Sequence, residues 1–385
     1  MTMKLFALCF VVLFLLLNGR VAESSRPAAG GDVSPSRRHR HDHGRHRRHH
    51  GRPTAADPRP KLFVFGDDFA DNGNVASDPS LGAASRSWRY PFGMSDAAHG
   101  RKPTGRFSDG LVQSDFLAKI IGHRASPPAY LGDEWDDVMD PAGMNFAFGD
   151  SGVLDVPSGV PRLGKQVQQL ASLIKAGVVD DRDLKGSVAL VAYSGNDYSN
   201  STNDDELVTK VVEEIGSAAW RLLDLGVSKV LVNTVPPFGC SPWLSRLHNY
   251  SSCDDGGNAF ADRHNAALRD RLAGEDDDVL LLDVNSIMTD LVAPKPGSAL
   301  APRLTERLRP CCEAVIAGGD DEDAEGGGGG GGYCGLDDGY TLCDHPEEYF
   351  FWDVVHPTQA GWRAVMQLLQ GPIMAFLGIS NLEHF

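Results

Sequence analysis

Residues 62–74 constrain the fold of this chain more than any other stretch. Leu62-Phe63-Val64-Phe65 is an unbroken apolar run that stops at Gly66 and gives way to Asp67-Asp68-Phe69-Ala70-Asp71-Asn72-Gly73-Asn74. A short apolar run ended by glycine reads as a buried strand, and the polar stretch after it as a turn that opens a helix. In α/β sheets the turn at a strand's carboxyl end is where reactive groups are presented, because helix-start N–H donors point there.

The rest of the chain repeats the unit. Strand-like runs fall at Val188–Tyr193, Lys229–Asn233 and Val279–Leu282. Between them, Glu206–Leu225 sets Leu207, Val211, Ile215, Ala218 and Leu222 on one helical face, and Gly226 stands where a C-cap ends the helix. Asn258–Leu272 and Gln359–Leu377 are two further helices. The alternation predicts an α/β fold, a mainly parallel sheet with helices on both faces. There is no internal repeat, and each connection is long enough for a crossover helix, so residues 61–385 are expected to form a single domain.

Ahead of that domain lie two segments of different character. Lys4, the apolar run Leu5–Leu17 and small residues at Ala22–Ser25 are laid out as a secretory signal over residues 1–24, too short to serve as a stable membrane anchor. Residues 25–60 include Arg37-Arg38-His39-Arg40-His41-Asp42-His43-Gly44-Arg45-His46-Arg47-Arg48-His49-His50 and almost nothing apolar, which predicts disorder. That segment is expected to be a solvated linker, with weak contact to wall polyanions or metal contact through its imidazoles as the alternatives. The formal charge is −16, and residues 61–385 alone hold 25 Lys/Arg against 48 Asp/Glu. A body that acidic does not bind nucleic acid by charge.

Six cysteines remain once Cys9 leaves with the signal, an even number suited to an oxidising compartment. Cys240 and Cys253 are expected to pair. Adjacent Cys311 and Cys312 make poor partners for each other, so each is expected to go to Cys334 or Cys343. No C-x-x-C spacing supports a zinc site, and neither a metal nor a cofactor is called for. Asn200 and Asn249 each begin an N-x-S/T glycosylation sequon. Ala317–Gly332, acidic and then seven consecutive glycines, is expected to be a disordered surface loop tethered by disulfides.

Acyl transfer needs a nucleophile, a base, a group that orients the base, and donors for the developing oxyanion. Asp353-Val354-Val355-His356-Pro357-Thr358, just before the last helix, supplies a base and its orienter. Ser194-Gly195-Asn196-Asp197-Tyr198 follows a strand, and Gly143-Met144-Asn145-Phe146-Ala147-Phe148-Gly149-Asp150-Ser151-Gly152 is a second donor-rich block. With Gly66-Asp67-Asp68-x-x-Asp71-x-Gly73 these resemble, in order, the four signature blocks of the GDSL esterase/lipase (SGNH hydrolase) family. Ser87-Trp88-Arg89-Tyr90-Pro91-Phe92-Gly93, Pro103-Thr104-Gly105-Arg106-Phe107-Ser108-Asp109-Gly110 and Leu231-Val232-Asn233-Thr234 look like its plant secreted branch. The resemblance spans Lys61 to the last helix. It implies the flavodoxin-like, three-layer SGNH fold and an extracellular (cell-wall or apoplastic) hydrolase of carboxylic esters: lipid, short acyl or acetylated polysaccharide. It also implies that Asp353 orients His356, and that Asn196 and the Gly149 backbone N–H donate to the oxyanion.

Two positions depart from the family pattern. Asp68 stands where the family keeps its nucleophilic serine, and Asp150 where a second small residue is usual. An aspartate is already ionised, so His356 has no proton to take from it, and its attack on an ester gives an uphill anhydride. Loss of the nucleophile from a triad costs on the order of a million-fold in turnover, leaving roughly a thousand-fold over water. The expectation is therefore loss of ordinary serine-esterase activity. It leaves hydrolysis by an Asp68/His356-activated water, or a catalytically inactive relative that binds acyl or glycan ligands; covalent attack by Asp68 on an alkyl carbon ranks last. Gly149-Asp150-Ser151 is itself a Gly-Asp-Ser, but Leu154 falls where the block needs its aspartate, so Ser151 reads as a loop residue.

Overall fold

The structure is a computed structural model that describes residues 59–380, apart from 78, 132–138, 155, 158, 200–203, 275–276, 296, 299, 316–332 and 337–338. The expected signal, nearly all of the His/Arg-rich segment, Asn200 and the acidic glycine-rich loop lie outside the described residues.

Five strands, β1 (Leu62–Gly66), β2 (Gly143–Asn145), β3 (Val188–Ala192), β4 (Lys229–Asn233) and β5 (Val279–Leu282), form one sheet in the order β2-β1-β3-β4-β5. Every pairing in it is parallel. The helices are α1 (Gln113–Ile120), α2 (Leu163–Lys175), α3 (Asp181–Leu184), α4 (Asp205–Asp224), α5 (Pro242–Ser245), α6 (Asp255–Leu272), α7 (Val284–Val292) and α8 (Gln359–Leu377). Side chains alternate across a strand. Leu62 and Val64 therefore enter a core with Phe116, Met288, Trp362 and Val365 of α1, α7 and α8. Phe63 and Phe65 enter a second core with Val167, Ile215 and Phe260 of α2, α4 and α6. A strand with both faces covered has no polar side, which is why Leu62–Phe65 is apolar throughout. Removing one such ring, Phe65→Ala, is expected to destabilise by about 3–5 kcal/mol.

The expected strands and helices recur here within a few residues at their ends. Helix α4 starts where the Asp204 carboxylate accepts the Glu206 and Leu207 N–H groups, and it stops at Gly226, whose φ of 100° suits glycine. Strand β2 was read from sequence only as a donor block. Three residues, one of them glycine and one asparagine, carry no strand periodicity, and β2 exists because β1 offers it an edge.

After α7 the chain builds two small sheets that sequence reasoning did not anticipate. β6 (Glu306–Pro310) pairs with β9 (Tyr349–Phe351), and β7 (Cys312–Ala314) pairs antiparallel with β8 (Tyr340–Leu342). Cys240 is bonded to Cys253, and the pairing left open resolves as Cys311–Cys343 and Cys312–Cys334. Cys311, Cys312 and Cys334 surround buried Trp352 together with Phe92. The Cys312 N–H donates to the Trp352 carbonyl at 2.7 Å, so two cross-links hold the residue directly before Asp353. Closing loops of 22 and 32 residues stabilises by about 3–4 kcal/mol each on the chain-entropy view.

Candidate active site

The strand order 2-1-3-4-5 puts a topological switch point between β1 and β3, where ligands of open α/β sheets bind beyond the carboxyl ends of the strands. The turn after β1 carries Asp67, Asp68 and Asp71, and the turn after β3 carries Ser194 and Asn196. A side chain at Gly66 would run into the Ala192 carbonyl, so glycine lets the two strand ends meet there. Asp67 then ties the turns together, its Oδ2 accepting the Ser194 N–H at 2.6 Å and the Ser194 hydroxyl at 2.8 Å.

The third contributor is the loop between β9 and α8. The Asp353 carboxylate accepts the backbone N–H groups of Val355 and His356, and both its oxygens lie 2.8 Å from His356 Nδ1. The loop thus fixes its own geometry, and His356 Nε2 is left facing Asp68 Oδ2 at 3.9 Å. Aspartates 68 and 353 and His356 are all buried. At that separation the Asp68–His356 contact is an ion pair rather than a hydrogen bond.

Asp68 has two hydrogen-bond donors of its own. The Asp150 N–H donates to Oδ1 at 2.9 Å, and Asn196 Nδ2 donates to Oδ2 at 3.2 Å and to the Ser151 carbonyl at 2.9 Å. The expected donor Gly149 is placed differently: its N–H goes to Asp71 Oδ2 at 2.8 Å. The backbone donor reaching the site is therefore that of Asp150, which adopts a left-handed φ of 60°. Such strain in a non-glycine residue persists only when its surroundings over-determine it.

Burial pushes Asp68 up, but the adjacent His356 outweighs it and holds the carboxyl below the usual carboxylate range. Burial likewise opposes charge on His356, yet Asp353 and Asp68 raise it to about 9, so the ring is an imidazolium at neutral pH. Asp353 falls to about 2, because the His356 charge overcomes burial. Asp67 and Asp71 meet no such cation. Burial, with the Asp68 charge added, lifts them to about 8 and about 6. Asp150 is raised by burial and by Asp68.

Ser151 is fully buried, with its hydroxyl donating to the Pro161 carbonyl at 2.8 Å and accepting from Gln166 Nε2 at 3.1 Å. It is a loop-bracing residue. Asn249 is exposed, on a turn with a φ of 51°. Among the described residues no cluster of three or more metal-ligating side chains occurs, and no helix is long and apolar enough to cross a membrane. Sequence reasoning missed two neighbours of the site. Phe107 packs its ring 5.2 Å from that of His356, and Arg86 lays its guanidinium 4.9 Å from the centre of the Phe107 ring. Phe107 belongs to a stretch read only for family likeness, Arg86 falls one residue before another such stretch, and no local pattern marks either.

Comparison with known proteins adds a second line of observation. The pattern of the family described as GDSL-like lipase/acylhydrolase matches residues 62–369. Three GDSL esterase/lipases of Arabidopsis thaliana are similar over most of their length. One is 32% identical over 335 residues, 82% of this chain and 88% of that protein. A second is 34% identical over 341 residues, 83% and 95% of the two chains. The third is 35% identical over 336 residues, 80% and 85%.

Proposed function

This chain belongs to the GDSL-like lipase/acylhydrolase family, and on that premise we propose that it is a secreted esterase-like protein acting on carboxylic esters through Asp68, His356 and Asp353. The candidate substrates are lipid, short acyl or acetylated-polysaccharide esters. The observation that carries the reading is the buried line Asp353–His356–Asp68, with contacts of 2.8 and 3.9 Å at the sheet's switch point. Asp68 stands at the position of the family's serine, so the chemistry is written without an acyl-enzyme. A water attacks the ester carbonyl and gives its proton to the ionised Asp68 carboxylate. The C–O bond to the alcohol breaks, and the departing alkoxide takes the His356 proton. Proton transfer from Asp68 back to His356 resets the site. A carboxylate held below its ordinary pKa is a weak base, so the turnover is slow.

One observation favours a second reading, a site that holds acyl or glycan ligands without turning them over. The Asp150 N–H and Asn196 Nδ2, the two donors an oxyanion needs, are already engaged by the Asp68 carboxylate. The test uses p-nitrophenyl acetate and butyrate with the parent, Asp68→Ser and His356→Ala. Hydrolysis by the parent that His356→Ala abolishes supports the water-activating site. Activity that appears only in Asp68→Ser sinks it and leaves the binding reading. Secretion is supported by the layout of residues 1–24 and by three disulfides, which persist in oxidising compartments. Glycan attachment at Asn249 is supported by its exposed turn, and a mass shift on glycosidase treatment of the secreted protein tests it.

A further inference from the structure

Two arginines near the site are equally buried, each about 6% exposed, and are treated very differently by their surroundings. Arg106 grips the Asp115 carboxylate with Nε and Nη2 at 2.8 Å each and adds Thr104 at 3.0 Å. This is how a structural guanidinium is normally accommodated, since burying a cation without a hydrogen-bonded partner is strongly unfavourable. Among the described residues Arg86 has no such partner: its Nη1 donates to the Ala83 carbonyl at 2.9 Å, its buried Nε meets no hydrogen-bond acceptor, and no carboxylate oxygen lies within 4.0 Å of it.

The place of Arg86 gives that vacancy a purpose. Its guanidinium lies against two rings, 4.9 Å from the centre of buried Phe107 and 5.0 Å from that of half-exposed Tyr333. Phe107 is in turn packed against His356. We propose that Arg86 anchors a carboxylate carried by the ligand, so that the esters this site takes are acidic half-esters rather than neutral ones. The inference rests on reading the Asp68–His356 site as an ester site. A guanidinium's planar fork matches a carboxylate, and stacking on aromatic faces presents its N–H edge while covering its faces. Asp68 and Asp353 share the one positive charge of His356, and Arg86 feels both at longer range. The negative charge already there favours a monoanion over a phosphate dianion.

The experiment compares two esters of the same chain length, p-nitrophenyl hemisuccinate and p-nitrophenyl butyrate, as the ratio of their kcat/KM values. Beside it runs equilibrium binding of monomethyl succinate against methyl butyrate. The parent is expected to favour the anionic partner about tenfold or more in both measurements. Arg86→Gln should bring both ratios to within about twofold of unity, and Arg86→Lys, a point charge without the fork, should lower them at least threefold. A parent ratio near one overturns the proposal, as does a parent ratio that Arg86→Gln leaves in place. If Arg86→Gln does not fold, judged by near-ultraviolet circular dichroism, Arg86→Lys decides, and an unchanged ratio overturns it. Binding preference without turnover of either ester removes the hydrolytic reading and keeps the anchor. Turnover of both esters without preference does the reverse.

Discussion

The two walls of the site are built on opposite principles. On one side, Asp353 and His356 sit three residues apart, satisfy each other within one loop, and are braced from behind by two disulfides around Trp352. This is the base-and-orienter arrangement a serine hydrolase needs. On the other side, three buried aspartates crowd a five-residue turn and end in different states. Asp67 and Asp71 are hydrogen-bonded only by N–H and hydroxyl groups, so burial keeps them above the ordinary range at about 8 and about 6. Asp68 alone faces a cation and is held below it. Neighbouring carboxylates at the same depth are thus sorted by whether the His356 imidazolium stands against them. The wall that carries Asp68 offers a histidine base no proton to remove.

The sharpest way to break the contrast is to restore a hydroxyl. Asp68→Ser frees the Asp150 and Asn196 donors and gives His356 a proton to abstract, so kcat/KM for p-nitrophenyl butyrate is expected to rise at least a hundredfold, within the six orders a nucleophile is worth. No gain would mean that the wall around Asp68 is no longer that of a serine hydrolase. In the Asp68→Ser background, Asp353→Asn should remove most of that gain, on the order of a hundredfold to ten-thousandfold, because the imidazole loses its orienter. Stability tests the bracing instead: a Cys312→Ser/Cys334→Ser pair should lower the unfolding free energy by about 3 kcal/mol in denaturant titration. Loss of that bracing should also reduce activity in the Asp68→Ser background.

Acidity separates the walls more finely. In the parent His356 must keep its proton to act as an acid, so a pH–rate profile should be level through neutrality and fall above about 9. In Asp68→Ser the ring must be neutral to act as a base, and the rate should rise with pH instead. The same linkage acts on stability. His356 is raised in the folded state, so its contribution is fully present below pH 6.5 and is lost as pH climbs through about 9. Asp353 is depressed, so its contribution is present above pH 3.8 and lost as pH falls toward about 2. The thermal stability of the parent, read as its unfolding temperature, should accordingly fall on both sides of that window, and His356→Ala should remove the upper His356 contribution. The smallest expected effect belongs to Ser151→Ala. It should change the hydrolysis rate of Asp68→Ser less than twofold, since the Ser151 hydroxyl braces Pro161 and Gln166 rather than the site.

Much of this is legible in the sequence because the informative signals are local. The apolar run Leu62–Phe65 announces a strand buried on both faces, and Asp353-x-x-His356 places a base and its orienter on one short loop. Leu207, Val211 and Leu222 mark a helix by their spacing. What could not be read depends on partners remote in sequence. Strand β2 has no periodicity of its own, and Arg86 becomes notable only beside Phe107 and Tyr333, residues 21 and 247 positions away. The Gly149 N–H is taken by Asp71, 78 positions earlier, and it is the next N–H, that of Asp150, that reaches Asp68.

By itself the sequence determined the layered α/β architecture, the order of the four blocks and the presence of an aspartate at position 68, because periodicity, turn chemistry and residue identity are properties of neighbours along the chain. Only the tertiary structure decided which cysteines pair, which backbone N–H reaches Asp68, and that Asp68 engages both that N–H and Asn196 Nδ2 while an imidazolium stands 3.9 Å away. Those are electrostatic and hydrogen-bond choices among groups brought together from β1, the loop after β2, the turn after β3 and the loop before α8. Their strength is set by a shared burial that no single stretch possesses.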